Sequence, residues 1–380
     1  MSHVTTKSRS SVGVSASAIA GVVALLLVLA PAASAARDPL ASGHTDLHFK
    51  HGFLVKLGNT DIAMRGLGAT VVEGRKATML VKGGKLDPTD GTGFVEHRGG
   101  LKLERGARGV PLTQIVVNTF KGAVYATVAK ARMQIGTLSA RTTAREGFGA
   151  NFKATKVTLT AKVAKRISNR LGLRGGSRIE GGRVMSNVYS AVQPSTVTVL
   201  PQGSATLQGD LGTLKKFGEK GVALPEGISA IPPATKPTPV SFQFPIGGGT
   251  LAPDASAGVV QTTGGVQIAK ETGATMTMSN IYVDFTAKTA TVEIVITPAP
   301  PFPGAVGRSS IADLVLTGAT IVADPNPRTI AVKGAEARLQ AVAAATLNDV
   351  FNQPAPEPPP SSNFVIGDPL GTFSMTVQGQ

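Results

Sequence analysis

The sequence holds five histidines and no cysteine, so metal ligation and acid–base chemistry have few places to sit. His44, His48 and His51 cluster with Asp46, while His97 stands apart in the segment Phe94-x-x-His97-x-Gly99-x-Leu101. From 47 to 57 the odd positions read Leu47, Phe49, His51, Phe53, Val55 and Leu57, which predicts a period-two strand with His51 on its apolar face. A neutral imidazole in an apolar wall suits iron ligation. The alternative is a strand start that bulges at Gly52 and turns His51 outward. A zinc site made from His44, His48, His51 and Asp46 meets an obstacle, because a straight strand sends His48 and His51 to opposite faces.

Catalytic signatures are scarce. No G-x-S-x-G elbow, P-loop or H-E-x-x-H is found, and His97 is the one histidine outside the N-terminal part for a Ser-His arrangement. Paired carboxylates for glycoside cleavage are open to any chain with this many acids. Sugar sites, however, use aromatic platforms, and here tryptophan is absent and tyrosine is limited to Tyr125, Tyr189 and Tyr282. The expectation is a binding protein, not an enzyme.

Charge is divided unevenly. Residues 36–220 carry 29 Lys plus Arg against 12 Asp plus Glu, whereas residues 221–380 carry 7 against 11. A basic field of this kind concentrates anions such as acidic wall polymers, lipid headgroups or carboxylate-bearing ligands, or it serves solubility alone. Residues 1–35 read as a secretory signal: Lys7 and Arg9, an apolar run over 18–30, then Ala33-Ser34-Ala35 for cleavage. No later run reaches the roughly 18 apolar residues of a membrane span. These features predict an exported protein of the extracellular space or cell envelope, with no transmembrane anchor in the mature chain. Export, and the lack of aromatics interleaved with the basic residues, argue against a nucleic-acid partner.

The elements that must position these residues occur twice. Gly84-Lys-Leu86-Asp-Pro88, leading to Gly93-Phe94-Val95-Glu-His97-Arg-Gly99-Gly100-Leu101, matches Gly249-Thr-Leu251-Ala-Pro253, leading to Gly258-Val259-Val260-Gln-Thr262-Thr-Gly264-Gly265-Val266 at an offset of 165. Leu112 to Val117 parallels Met278 to Val283, and Leu159, Ala164, Ile167 and Leu171 parallel Leu339, Ala344, Leu347 and Phe351 at an offset of 180. Two copies are too few for a solenoid. The expected fold is mainly β: two tandem antiparallel β-sandwich-like domains, 36–205 and 206–380, each with a C-terminal amphipathic helix. A short helix over 213–220 opens the second copy, and the proline stretches 231–239 and 354–360 read as stiff extended loops.

The motif Gly83-Gly84-Lys-Leu86-Asp87, followed by Phe94-x-x-His97-x-Gly99-x-Leu101, resembles the HtaA-type domain of actinobacterial cell-envelope proteins. The resemblance implies haem binding and uptake on a fold of two antiparallel sheets with accompanying helices. In that family a first-strand tyrosine ligates the haem iron and the histidine of H-x-G-x-L supports it. His97 matches the histidine, whereas the tyrosine has no counterpart and Thr262 replaces the histidine in the second copy. The resemblance thus points to haem, or another anionic ligand, in the first domain. His97 would stand in the iron's shell and His51 would be a second ligand, with Lys and Arg pairing to propionates. The alternative is a non-catalytic structural or adhesive surface protein whose basic first domain binds acidic cell-wall polymer.

Overall fold

The structure is a computed structural model that describes residues 37–271, 273–297, 306–352 and 363–380. The expected signal at 1–35 and the proline stretch 354–360 lie outside the described residues. The first half of the chain runs β1 (Asp38–Phe49), α1 (His51–Gly58), β2 (Ala63–Leu67), β3 (Val71–Glu73), β4 (Lys76–Leu86), β5 (Gly93–His97) and β6 (Gly100–Arg105). It continues with β7 (Arg108–Asn118), β8 (Ala123–Val128), β9 (Ala131–Glu146), β10 (Gly149–Leu159), α2 (Ala161–Arg170) and β11 (Val184–Pro194). The second half runs β12 (Val197–Gly209), α3 (Leu211–Glu219), β13 (Ile228–Ile231), β14 (Thr235–Thr238), β15 (Ser241–Leu251), β16 (Gly258–Thr262) and β17 (Gly265–Ala269). It ends with β18 (Thr275–Asp284), β19 (Thr289–Thr297), β20 (Val306–Val315), β21 (Thr320–Asp324), β22 (Thr329–Leu339), α4 (Ala341–Phe351) and β23 (Pro369–Gly379).

Each half folds into one antiparallel sheet that closes on itself. The first follows the order β2-β6-β7-β5-β4-β1-β11-β10-β9-β8, and β8 returns to pair with β7. The second repeats it as β13-β17-β18-β16-β15-β12-β23-β22-β20-β19, closed by β18 with β19. Closure pairs the main strands of each ring on both sides, leaving short strands such as β2 and β13 at the ends of the order. One further strand, β11 or β23, follows each amphipathic helix and completes its ring beside the opening strand.

The repeated glycines explain why the motif is legible in sequence. Gly84 and Gly249 have φ of +132° and +131°, and a Cβ there would lie 2.2 and 2.1 Å from the carbonyl oxygens of Phe94 and Val259. Only glycine tolerates both the backbone angle and the approach of the neighbouring strand. Inside the first ring, Leu47, Met79, Leu101, Ile115, Phe152 and Val188 belong to one buried cluster, and α2 adds Val163 and Ile167.

Two expectations are corrected. The strand foreseen over 47–57 stops at Phe49, and α1 begins at His51. Phe53 and Leu57 are buried, as either periodicity requires, but Val55 is 43% exposed, which only the helical reading allows. Much of 231–239 is not loop but the end of β13 and the whole of β14, which pairs with β15.

The two rings meet at a buried ion pair. Arg328, in the turn between β21 and β22, donates from Nη2 to Asp38 Oδ2 on β1 and to the Phe148 carbonyl, each at 3.0 Å. Asp38 Oδ1 accepts from the backbone N–H of Thr198 at 2.9 Å. Phe148, at the turn from β9 to β10, packs in the core of the second ring.

Candidate functional site

His97 ends β5 and is 4% exposed inside the first ring. Its Nδ1 lies 3.0 Å from the Ile115 carbonyl, and its Nε2 lies 2.6 Å from the Thr45 hydroxyl. A carbonyl can only accept, so Nδ1 carries the proton and Nε2 accepts from Thr45. Thr45 Oγ1 stands 2.8 Å from Ser190 Oγ. With its proton given to the imidazole, Thr45 accepts from Ser190, and a relay of three side chains crosses β11, β1 and β5. Burial lowers the His97 pKa from 6.5 to about 4, although the bond to Ile115 opposes the shift. The ring is therefore neutral at physiological pH, with both nitrogens engaged.

The relay divides the interior. Thr45 falls between Leu40 and Leu47 along β1, and Ser190 falls between Val188 and Val192 along β11. On one side Leu40, Val81, Leu86, Val95, Ala150 and Val192 form a small apolar cluster separate from the main core. In the second ring the register places Ala205 opposite Met375 where the first has Thr45 opposite Ser190. Thr262 takes the place of His97, and its hydroxyl donates to the carbonyl of Ile281, the counterpart of Ile115, at 3.4 Å. The polar layer is thus peculiar to the first ring.

One outer cleft reaches the edge of His97. A cavity of about 210 Å³ is lined by Lys82, Glu96, His97, Gln114 and Arg132. It opens where β4 and β7 are irregular, between Val81 and Gly83 and between Thr113 and Val116. Gln114 there adopts φ of 50°, as does its counterpart Asn280.

His51 is placed elsewhere. It is the exposed first residue of α1, not a member of an apolar strand face. Beside it, a cavity of about 540 Å³ is lined by Lys50, Gly52, Phe53, Thr155, Lys156 and Arg183. Arg183 also pairs with Glu180 at 2.9 Å. Lys50, the residue before the helix, offers no side-chain cap to its first turn. The Lys56 ammonium donates to the carbonyl of Gly176 and ties α1 to a short 3-10 turn over Gly175–Ser177, around which Arg174 and Arg178 are exposed. This end of the ring is strongly cationic.

His51 and His97 share no lining. Among the described residues no group of three or more His, Asp or Glu comes together to hold a metal ion. His44, His48 and Asp46 remain on β1, with His48 Nε2 4.0 Å from Asp46 Oδ2 and His44 against Tyr189 at 6.4 Å between ring centroids. Thr45 and Ser190 escaped the sequence reading. Their signal was a polar residue interrupting an alternating apolar face, at Thr45-x-Leu47-x-Phe49 and Val188-x-Ser190-x-Val192.

Fold and site together define a mainly β protein of two like rings in tandem, with a polar relay in the first. Among solved structures it is similar to the C-terminal domain of HtaA from Corynebacterium glutamicum, with a TM-score of 0.35 and 13% identity over 48% of this chain and 98% of that one. It is similar also to the N-terminal domain of the same protein, with a TM-score of 0.31 and 15% identity over 47% of this chain and 98% of that one. A scan against family models and a search of curated proteins both find no match. No described helix is long and apolar enough to cross a membrane.

Proposed function

We propose that the chain is an exported, non-catalytic binding protein of the cell envelope, and that its first ring takes an anionic ligand on the outer surface of the end covered by α1. One observation carries this reading: a cavity of about 540 Å³ bordered by Lys50, Lys156 and Arg183, at an uncapped helix start. It is an open cleft at the surface, and its cations suit carboxylates or phosphates.

Haem fits this end better than the ring interior. His97 is a poor iron ligand, because Nε2 would have to give up Thr45 and Nδ1–H faces a carbonyl. His51, exposed beside the cavity, is the better candidate, with Lys50, Lys156 and Arg183 for the propionates. His97 then takes no part in holding the ligand, and its bonds serve the packing of the ring interior. Haem, when bound, would supply the iron chemistry, and the protein's part is to hold and orient it.

Acidic wall polymer is the second reading, favoured by the exposure of Lys162, Lys165, Arg170, Arg174 and Arg178 along α2 and the following turn. We also propose that the halves are separate domains divided near residues 195–196, since β12 as a whole pairs with β15 and β23. Haemin titration followed at the Soret band separates the ligands. A shift that His51→Ala weakens and His97→Phe spares supports haem at this end. With no shift at micromolar haemin, binding to teichoic-type polymer that falls steeply with salt supports the second reading. Neither response would discard both.

A further inference from the structure

The rings differ in their packing as well as their charge. Each holds an apolar cavity at its helix-covered end, about 30 Å³ in the first and about 110 Å³ in the second. Equivalent positions line the two, so the substitutions that open the space can be read directly. Phe49 and Phe53, stacked at 6.2 Å in the first ring, are replaced by Gly209 and Thr213. Val163 of α2 becomes Ala343 of α4. Two changes run the other way, Leu57 to Phe217 and Ala77 to Phe242, but the Phe217 ring turns onto Phe351 and Phe364, at 5.5 and 4.7 Å between centroids. The stacked Phe49–Phe53 pair is lost, and the incoming rings do not refill all of its space, since the second cavity is the larger.

The two polar side chains of the lining are hydrogen-bonded into the fold. Asp210 Oδ1 accepts from the Thr213 N–H at 2.9 Å, and the Thr213 hydroxyl donates to the Pro369 carbonyl at 2.6 Å. The remaining lining is Leu, Ile, Val, Met, Phe, Ala and Gly. A water needs two to four polar partners, and a lining whose one acceptor to spare is on Asp210 does not supply them, so the cavity is dry. Dry apolar cavities of about 150 Å³ take up benzene or xenon. An empty one forfeits dispersion contacts on every wall, and an apolar occupant restores them.

We propose that the second ring contains an internal binding site for one small neutral apolar group, about the size of a benzene ring or a short alkyl end. Charge and hydrogen-bonding capacity are selected against, since neither would find a partner. The group can be a free hydrocarbon or the terminus of an amphiphile inserted beside Gly209 and Asp210, where the exposed Leu211 opens α3.

The test uses the full chain with ¹³C-labelled Ile, Leu and Val methyls, titrated with benzene and separately with octyl glucoside below its micelle concentration. Saturable shifts are expected at Ile268, Ile311 and Leu347, and not at their counterparts Leu103, Ile135 and Ile167. Ala343→Leu should abolish them, and Ala343→Val, which installs the first ring's own residue, should weaken them and serves alone if the larger side chain prevents folding. Response to benzene only assigns a free hydrocarbon, whereas response to the glucoside assigns an alkyl end. No saturable shift, equal shifts in both rings, or shifts untouched by filling the cavity would overturn the proposal.

Discussion

Lowering the pH tests the relay around His97, because its folded and unfolded states bind protons differently. In the folded chain burial holds the imidazole at about 4, against 6.5 in the open chain. Between these values the unfolded chain takes up a proton that the folded chain refuses, so stability falls as the pH drops. The full gap corresponds to about 3 kcal/mol, and about 2 kcal/mol of it should be lost between pH 7 and pH 5. Other groups titrate too, so the informative quantity is the difference between wild type and His97→Gln. The variant should be weaker at pH 7, since its amide cannot reproduce both bonds in the same geometry, yet its stability should decline less on acidification. Urea unfolding followed by circular dichroism at pH 5, 6 and 7 measures the difference. Hydrogen exchange of peptides from β5 and β7 would localise the loss to the first ring. Parallel pH profiles for the two proteins would refute the burial of a neutral imidazole.

Removing the Thr45 hydroxyl with Thr45→Val leaves Nε2 of His97 without its donor and should cost about 1–3 kcal/mol in urea unfolding, with a smaller loss for Thr45→Ser. Asp38→Leu strands the Arg328 guanidinium inside the junction and should cost about 3–5 kcal/mol; pairing it with Arg328→Met should restore most of that, and equal losses in single and double variants would count against a coupled pair. Gly84→Ala forces both a positive φ and a contact with the Phe94 carbonyl, so stability in urea unfolding should fall by several times the roughly 0.5 kcal/mol that bounds most surface changes, whereas Gly52→Ala, in open space on α1, should be neutral or stabilising.

What could be read from sequence follows from how local each cause is. The glycine motif was legible twice because a positive φ beside a neighbouring strand admits no other residue, so the restriction is written in residue type. Helices α2 and α4 were legible because Val163, Ala164 and Ile167 recur on a 3.6-residue period that no strand shares. The first strand was misread because residues four apart, such as Phe53 and Leu57, satisfy both periods, and only Val55 between them distinguishes helix from strand. The Asp38–Arg328 pair left no local trace, since an arginine in a turn is ordinary until a second sheet closes over it. The same holds for the cationic end, where Lys50, Lys156 and Arg183 come from three separate elements and only the closed ring assembles them.

Duplication makes the comparison between the halves an internal control for function. Backbone features recur almost unchanged, down to φ of 50° at both Gln114 and Asn280, so the demands of the fold are common to both copies. What differs is then free of those demands. The second ring closes without a histidine, with Ala205, Met375 and Thr262 in place of the relay, so the polar layer is not needed to build this topology. Burying three polar side chains in a core that an apolar set can fill brings specificity of register at best, and otherwise a penalty. The excess of basic residues lies in the same half as the relay, while the enlarged apolar cavity lies in the other. Divergence of this kind separates a basic ring that carries the relay from a ring with a larger apolar cavity, and it gives a discriminating exchange: grafting Thr45, His97 and Ser190 onto positions 205, 262 and 375 should change the second ring's pH sensitivity without filling its apolar cavity.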